Sequence, residues 1–262
     1  MHYQVLSSGS KGNSALVRAG EVRLLIDAGL SARAQTERLE SARTSVKALH
    51  HIALTHGHLD HARCAGVLSK RNQDLTVHCA ERLMKNKSLA RARRLATLRI
   101  GSEFELFDFE RRDSLRLLAV QIPHDADPTV AFRVEHHGRR LVVLTDMGHP
   151  APRNLAPLAD PHVLHLEFNH DEDMLEAGPY PPKLQKRILG EGGHLSNLQA
   201  AEVLEQLAGP SLHTLVLAHL SEHNNTPELA RSVAEAKLAE LGRSHVRVLI
   251  ASQTEVGESL EV

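Results

Sequence analysis

The chain contains no tryptophan, five phenylalanines, two tyrosines and two cysteines among its 262 residues. Aromatic residues at 3% argue against a base-stacking platform of the kind that single-strand-binding modules use. Cys64 and Cys79 provide neither a disulfide framework nor a paired thiolate metal site. Any metal ion in this protein must therefore be held mainly by histidine and carboxylate side chains.

Long apolar runs are also missing. No run approaches the ~20 residues needed to cross a bilayer, and the start of the chain lacks the charged-then-apolar order of a signal peptide. We therefore expect a cytoplasmic protein with no membrane partner. The formal charge of −1 says little about partners, because net charge hides local patches. Two basic stretches, 85–94 and 111–116, are each typical of a solvated surface when taken alone.

Short apolar and β-branched runs predict strands along the whole chain. ALVRAG and EVRLLIDAG, joined at a glycine turn, predict a hairpin over residues 15–29. Further strands are expected over 48–56, 75–80, 115–122, 129–136, 139–146, 162–168, 213–219 and 246–251.

Helical patterns fall between these strands. Helices are expected over 31–42, over 195–209 with Ser196 or Asn197 as N-cap, and over 225–242 with Thr226 as N-cap. No internal repeat or long linker interrupts the chain. The pattern predicts a single α/β domain over residues 1–262, with mixed sheets covered by helices.

The stretch LTHGHLDHARCAG, residues 54–66, concentrates three histidines and an aspartate within six positions. It follows a predicted strand, and layered α/β proteins tend to bind ligands at that end of a strand. Side chains at i and i+2 of an extended segment point to the same side, so His56 and His58 can converge on one metal ion. The side chains of Asp60 and His61 project in a different direction from those of His56 and His58, so they are better placed to bind a second ion. Such ligands suit Zn, Mn or Fe.

One ion needs three or four ligands, so the cluster predicts further ligands downstream. Three residues at predicted strand ends meet this expectation: His124, Asp146 and His219. Each alone is typical of an ordinary polar residue at a turn, but together with the cluster they predict a dinuclear centre. Seven candidates for two ions leave positions open for water and substrate, unlike a closed structural site.

These motifs resemble the metallo-β-lactamase fold superfamily, whose signature is His-x-His-x-Asp-His followed by a later His, an Asp and a final His. The resemblance implies a four-layer αββα sandwich with a two-metal site along one edge of the sheets. It also implies that Asp146 lies between the two ions. The implied ligands of one ion are His56, His58 and His124, and those of the other are Asp60, His61 and His219.

Within that superfamily, the chain is similar to the YycJ/WalJ family. The similarity is carried by VLSSGSKGNSALV, LLIDAGLS, IPHDADPTVAF, LEFNHD, QKRILGEGGHLSN and LAHLSEHNNTPELA. It implies a metal-dependent phosphodiesterase, most closely a 5′-to-3′ exonuclease on DNA, related to tRNase Z and to the phosphodiesterase PhnP. A water bridging two divalent ions would supply the hydroxide that attacks the phosphodiester.

The resemblance also assigns roles outside the ligand set. His194, in GGHLSN, is the candidate general acid, and Glu167 could orient its imidazole. The resemblance also implies that Asp60, already an implied metal ligand, lies at the catalytic centre. Candidate substrate contacts are Ser10 and Asn13 in the first glycine turn, Lys183 and Arg187 just before His194, and Asn224 after the last strand-end histidine.

Two other functions remain open from the sequence. The same site could hydrolyse a small substrate, such as a cyclic phosphodiester, a thioester or a lactone. The chain could also be a metal-binding protein without catalysis. A basic channel at the metals would favour a polymer, and an enclosed pocket would favour a small molecule. Metal identity, oligomeric state and polarity of digestion do not follow from the sequence.

Overall fold

The computed structural model describes residues 1–126 and 128–262, so residue 127, within the motif IPHDADPTVAF, lies outside the described residues. The chain folds into two compact units. The first comprises Met1–Ala119, Val134–Arg139 and Ser252–Val262, and the second comprises Val120–Arg133 and Arg140–Ala251.

The strands follow the predicted pattern, with additions at the start of the chain and at the sheet edges. In chain order they are β1 (His2–Ser7), β2 (Ser14–Ala19), β3 (Val22–Ile26), β4 (His51–Ala53), β5 (Thr76–Cys79), β6 (Arg94–Thr97), β7 (Glu103–Phe107), β8 (Ser114–Ile122), β9 (Thr129–His136), β10 (Arg139–Leu144), β11 (Val163–Glu167), β12 (Thr214–Ala218), β13 (Arg247–Ile250) and β14 (Leu260–Glu261).

Two seven-stranded sheets result. One has the order β14-β1-β2-β3-β4-β5-β6 and the other the order β13-β12-β11-β10-β9-β8-β7. In the first sheet β1 to β3 pair antiparallel and β3 to β6 pair parallel. In the second, β10 to β13 pair parallel. Both sheets are therefore mixed, as predicted, and each presents the carboxyl ends of several parallel strands along one edge.

Helices connect and flank these strands. They are α1 (Ala32–Ser41), α2 (Leu59–Ala62), α3 (Ala65–Arg71), α4 (Pro152–Leu155), α5 (Glu172–Ala177), α6 (Pro182–Ile188), α7 (Asn197–Leu207) and α8 (Pro227–Glu240), with 3₁₀ turns at Val46–Ala48, Glu81–Lys85, Lys87–Leu89 and Ala156–Leu158. Ser196 caps α7 in a capping box with Gln199, and Thr226 caps α8 by accepting a hydrogen bond from Leu229 N. α7 and α8 thus begin where their predicted caps place them, and α1 lies within the expected range 31–42.

Four strands are not among the expected ones: β6, β7 and β14 lie at a sheet edge, and β1 lies next to β14. β6 carries no buried residue and β7 buries one, so neither shows an apolar pattern of a core strand. By contrast β11 and β12 are buried at every position, which explains their nearly continuous apolar sequence. No helix within the described ranges is both long and apolar enough to cross a membrane.

Both cysteines are free and buried in the first unit. Burial raises the pKa of Cys64 to about 12 and that of Cys79 to about 11. The thiolate form needed for metal binding or nucleophilic attack is therefore suppressed near neutral pH. This agrees with the expectation that sulfur plays no part in the site.

Half-buried His51 and buried His78 form a pair of neutral histidines beside β7. His51 Nε2 donates to the carbonyl oxygen of Phe107 at 2.8 Å, so His51 Nδ1 must accept the hydrogen bond of His78 Nε2 at 3.0 Å. Burial lowers the pKa of His51 to about 4 and that of His78 to about 3. Both rings therefore stay unprotonated in the folded chain at pH values where the unfolded chain takes up protons.

We predict that this pair makes the chain sensitive to mild acid. As pH falls from 6.5 towards 4, each ring should lower the free energy of unfolding by up to about 1.4 kcal/mol per pH unit, because only the unfolded chain binds the proton. His78→Gln keeps a donor for His51 and should make the decline shallower between pH 7 and pH 5. Urea unfolding at each pH, followed by circular dichroism, measures the free energy of unfolding. Exposed His245→Gln is the control, and equal slopes for both variants would contradict the prediction.

Candidate metal centre

The first histidine cluster follows the carboxyl end of β4 in the first unit. The loop from Thr55 leads into α2, and α2 carries Asp60 and His61. The ring of His56 lies 4.7 Å from the ring of His58 and 4.1 Å from that of His61, measured between centroids. His61 Nε2 lies 3.5 Å from Asp60 Oδ2. The four side chains predicted from the motif are therefore adjacent.

Asp27 orients this cluster, although the sequence analysis assigns it no role. It directly follows β3, the parallel neighbour of β4. Its Oδ1 accepts from Thr55 N at 2.8 Å, and its Oδ2 accepts from Thr55 Oγ1 at 2.8 Å and from His61 Nδ1 at 2.7 Å. Because the proton of His61 is thus on Nδ1, Nε2 keeps its lone pair for a metal ion. In the sequence, the only indication of this role is that Asp27 follows an apolar run in LLIDAG, as the predicted ligands do at their own strand ends.

Glycine lets two backbone segments meet at the cluster. A Cβ on Gly29 would lie 1.5 Å from the carbonyl oxygen of Asp60, so a side chain there is excluded. The same carbonyl accepts from Asn13 N at 2.7 Å, and His61 O accepts from Ala28 N at 2.7 Å. These bonds hold the turn after β1 and the turn after β3 against α2.

The second cluster lies at the ends of β8, β10, β11 and β12 in the second unit. One ligand atom from each of four side chains lies within 4.8 Å of the others: Asp146, Glu167, His194 and His219. His124 follows β8, and its ring centroid is 5.3 Å from that of His194. Burial lowers the pKa of His124, so its neutral form predominates. Sequence-predicted residues from five separate segments are thus brought together.

Glu167 is the central acceptor of the second cluster. It is fully buried, and its Oε1 accepts from His194 Nδ1 at 2.8 Å and from His219 Nδ1 at 3.2 Å. Its Oε2 accepts from Met147 N at 2.9 Å. Burial acts to raise the pKa of Glu167, but the charge of His194 and the hydrogen bonds of His194 and His219 outweigh it and hold the pKa below its usual value.

The tautomers of the histidines fit a metal centre. His124 Nδ1 donates to Gly193 O at 2.9 Å, and His56 Nδ1 lies 3.1 Å from Thr55 Oγ1, whose own proton goes to Asp27. With His61 and His219 held in the same way, each ring has its proton on Nδ1 and its lone pair on Nε2. Neutral imidazoles oriented by a second acceptor are the usual metal ligands, and the carboxylates of Asp60 and Asp146 complete an N/O donor set. The residues present therefore fit divalent ions.

Three residues at the strand ends adopt left-handed backbone conformations. The φ angle is 57° at Asp27, 60° at Asp146 and 54° at His219. Such φ values are uncommon for residues other than glycine and are concentrated at functional sites. Each turns the chain sharply at the end of a parallel strand and so directs a polar side chain to the sheet edge.

The predicted substrate contacts occupy different environments. Ser10 and Lys183 are exposed, and Arg187 is held by Asp125, with Nη2 2.6 Å from Oδ2. Asn13 is buried, with Nδ2 bonded to Gly9 O and 2.9 Å from His61 Nε2.

Asn224 is completely buried, and its carbonyl accepts from Asp171 N at 2.8 Å. Both asparagines therefore support loops of the site. Contact between any of the five residues and a substrate stays a prediction.

We predict that Asp27→Asn weakens divalent-ion binding by roughly 10- to 100-fold, because the amide cannot hold the His61 proton on Nδ1. Titration with Zn²⁺ by calorimetry measures the affinity. Glu37→Gln, which removes the same charge from an exposed ion pair with Arg33, is the matched control and should bind like the unmodified chain. Equal affinity of the two variants would show that Asp27 does not set the His61 tautomer.

Comparisons with known proteins agree with this geometry. Residues 22–220 match the family described as the beta-lactamase superfamily domain. The chain is 31% identical over 244 residues to exodeoxyribonuclease YycJ of Bacillus anthracis, covering 92% of this chain and 90% of that protein. It is 30% identical over 240 residues to exodeoxyribonuclease WalJ of Streptococcus pneumoniae serotype 2 (strain D39), covering 91% and 88%.

A solved structure shares the fold. The metallo-beta-lactamase fold protein YhfI from Bacillus subtilis superposes with a TM-score of 0.70 at 17% identity, covering 98% of this chain and 99% of that one. This confirms the α/β fold class expected from the motifs. The domain boundary at residues 1–262 stays a prediction. With its fold, its histidine and aspartate clusters and its sequence relatives in agreement, the chain belongs to the metallo-β-lactamase superfamily and, within it, to the family of YycJ and WalJ.

Proposed function

We propose that this chain is a metal-dependent phosphodiesterase that removes nucleotides from the 5′ end of DNA. Two relatives that align over about nine-tenths of the chain are named exodeoxyribonucleases. The observation that carries the proposal is the hydrogen bond between the partly exposed His194 and the fully buried Glu167, because hydrolysis of a phosphodiester needs a proton for the leaving oxygen. A DNA substrate also agrees with the cytoplasmic location expected from the sequence.

We further propose two divalent ions, Zn, Mn or Fe, as the cofactors. The proposed ligands are His56, His58 and His124 for one ion, and Asp60, His61 and His219 for the other, with Asp146 shared. When bound, such ions lower the pKa of a coordinated water and offset the charge that develops on phosphate oxygens. The Nε2 lone pairs of the oriented histidines support this assignment.

His194 is suited to donate a proton. Its side chain is 20% exposed, in contrast to the fully buried Glu167, so it can meet a substrate while its Nδ1 stays bonded. With Nδ1 held by Glu167, Nε2 is the atom left to carry a second proton to the leaving oxygen. The carboxylate stabilises the imidazolium and keeps the ring in one orientation.

Glu167 is a positioning residue in this proposal, since it acts through His194. Its second oxygen is anchored by the backbone at Met147, so the carboxylate cannot rotate away when the ring changes charge. His219 shares the first oxygen, which couples the proton donor to a predicted metal ligand. A single buried carboxylate thus sets the orientation of both rings.

We predict that His194→Ala lowers kcat for 5′-labelled single-stranded DNA by roughly 10²- to 10⁴-fold with little change in KM. The loss should be much smaller for a p-nitrophenyl phosphodiester, whose leaving group needs no proton. Glu167→Gln should show the same preference for the good leaving group with a smaller loss, because the ring remains but is less well held. Product analysis on sequencing gels with Zn²⁺ and with Mn²⁺ gives the rates and the polarity.

The outcomes separate the remaining functions. Intact DNA together with a hydrolysed aryl diester would replace the exonuclease with a hydrolase of small phosphodiesters. Metal binding without hydrolysis of either compound would favour a non-catalytic protein. Equal losses on both substrates for His194→Ala would refute the proton-donor role while leaving the metal chemistry intact.

A further inference from the structure

The basic segment, residues 85–94, contains five lysines and arginines and no acidic residue in a chain of net charge −1. It runs from the end of the first 3₁₀ turn after β5, through the turn Lys87–Leu89, to the start of β6. All five charged residues are exposed: Lys85, Lys87, Arg91, Arg93 and Arg94. Their charges therefore face solvent on the surface of the first unit.

The segment is attached to the loop that carries the histidine cluster. Asn86 Nδ2 donates to the carbonyl oxygen of Gly57 at 2.9 Å, and Gly57 stands between His56 and His58. A Cβ on Gly57 would lie 2.8 Å from Leu83 Cδ2 and 2.9 Å from Asn86 Nδ2. Glycine at this position thus gives the segment room to lie directly on the cluster loop, and Lys85 and Lys87 flank Asn86 in the sequence.

A second attachment fixes the same segment to α3, the helix that follows the cluster. A Cβ on Gly66 would lie 2.4 Å from Ser88 O, so the two backbones are in close approach. Arg93 N donates to Ser69 Oγ at 3.0 Å. The segment is therefore attached to the cluster loop through Asn86 and to α3 through Ser88 and Arg93.

The charges of this segment are mostly uncompensated, unlike those of the second basic stretch. Only Arg94 makes an ion pair within the described residues, with Asp74 at 3.0 Å. In the stretch 111–116, Arg111 stacks 3.8 Å above the Phe107 ring.

The other two arginines of that second stretch are paired with acids. Arg112 pairs with Asp108 and Glu110, and Arg116 pairs with Glu103 and Glu135. The arginines of the second stretch are thus engaged in contacts within the protein, as expected of an ordinary surface. Most of the positive charges of the first stretch form no ion pair with an acidic residue among the described residues and are available to bind a partner.

We propose that the basic segment binds the phosphodiester backbone of the nucleic-acid strand, on the nucleotides next to the one held at the metal centre. This inference rests on the proposed function and names its substrate class as a polymer. The segment contains no aromatic residue, so it offers charge and not base stacking. Binding should therefore be independent of base sequence and strongly dependent on salt.

Fluorescence anisotropy tests the proposal in the metal-loaded full chain. The probe is a labelled 20-nucleotide DNA strand with phosphorothioate linkages, which resists hydrolysis, and a dinucleotide of the same chemistry is the short probe. In K85Q/K87Q/R91Q/R93Q, the Kd for the 20-mer should rise roughly 10- to 100-fold at 0.15 M salt. The slope of log K against log salt should fall by up to about 3, while dinucleotide binding stays unchanged.

The double variant K85Q/K87Q has a matched control in R43Q/K47Q. Arg43 and Lys47 are exposed, carry the same charge and precede the amino end of β4, whereas the cluster follows its carboxyl end. The control should bind the 20-mer like the unmodified chain. The proposal would be overturned if both double variants raised the Kd for the 20-mer equally, or if the quadruple variant left this Kd unchanged.

Further measurements distinguish a failure of this inference from a failure of the proposed function. Cleavage of DNA by a quadruple variant that binds normally would overturn the inference alone. Binding through the segment without cleavage by the unmodified chain would overturn the exonuclease and leave the strand-binding surface. An RNA 20-mer distinguishes the source of the backbone, and a clear preference for RNA over DNA would overturn a DNA substrate.

Discussion

Hydrogen bonds from imidazole Nδ1 to buried carboxylates are the interaction on which the candidate site depends. Asp27 holds His61 in the first unit, and Glu167 holds His194 and His219 in the second. A buried carboxylate is costly unless several donors satisfy it, so each of these acids is fixed as firmly as the ring that it orients. The strand ends supply the required positions, because parallel neighbours bring their carboxyl termini to the same edge.

The side chains that meet in the two clusters could be predicted from the sequence because their signal is local. His56 to His61 lie in one short motif, and the later residues each end an apolar run, so the combination indicates them although each later residue alone is ordinary. Asp27 could not be assigned in the same way, since its role depends on pairing with Thr55 and His61 across two strands. Edge strands such as β6 and β7 were also beyond reach, because half-exposed strands lack the apolar pattern of the core.

The two basic stretches show that the function of a surface, too, could not be predicted from the sequence alone. Half of the residues in each stretch are basic, and from the sequence both are ordinary solvated segments. Tertiary contacts separate them: one stretch is paired with acids, and the other is bonded through Asn86 to the loop of the histidine cluster. Net charge and local composition therefore do not decide whether a surface is free to bind; the positions of acidic neighbours do.

The burial of both thiols has a practical consequence for the chemistry of this protein. A thiol must ionise before it can be alkylated, oxidised or bound by a soft metal, and Cys64 and Cys79 are shielded from all three. The chain can therefore be handled in air without dithiothreitol, a chelating dithiol that competes for zinc. Its metal content then reports the histidine and carboxylate ligands alone.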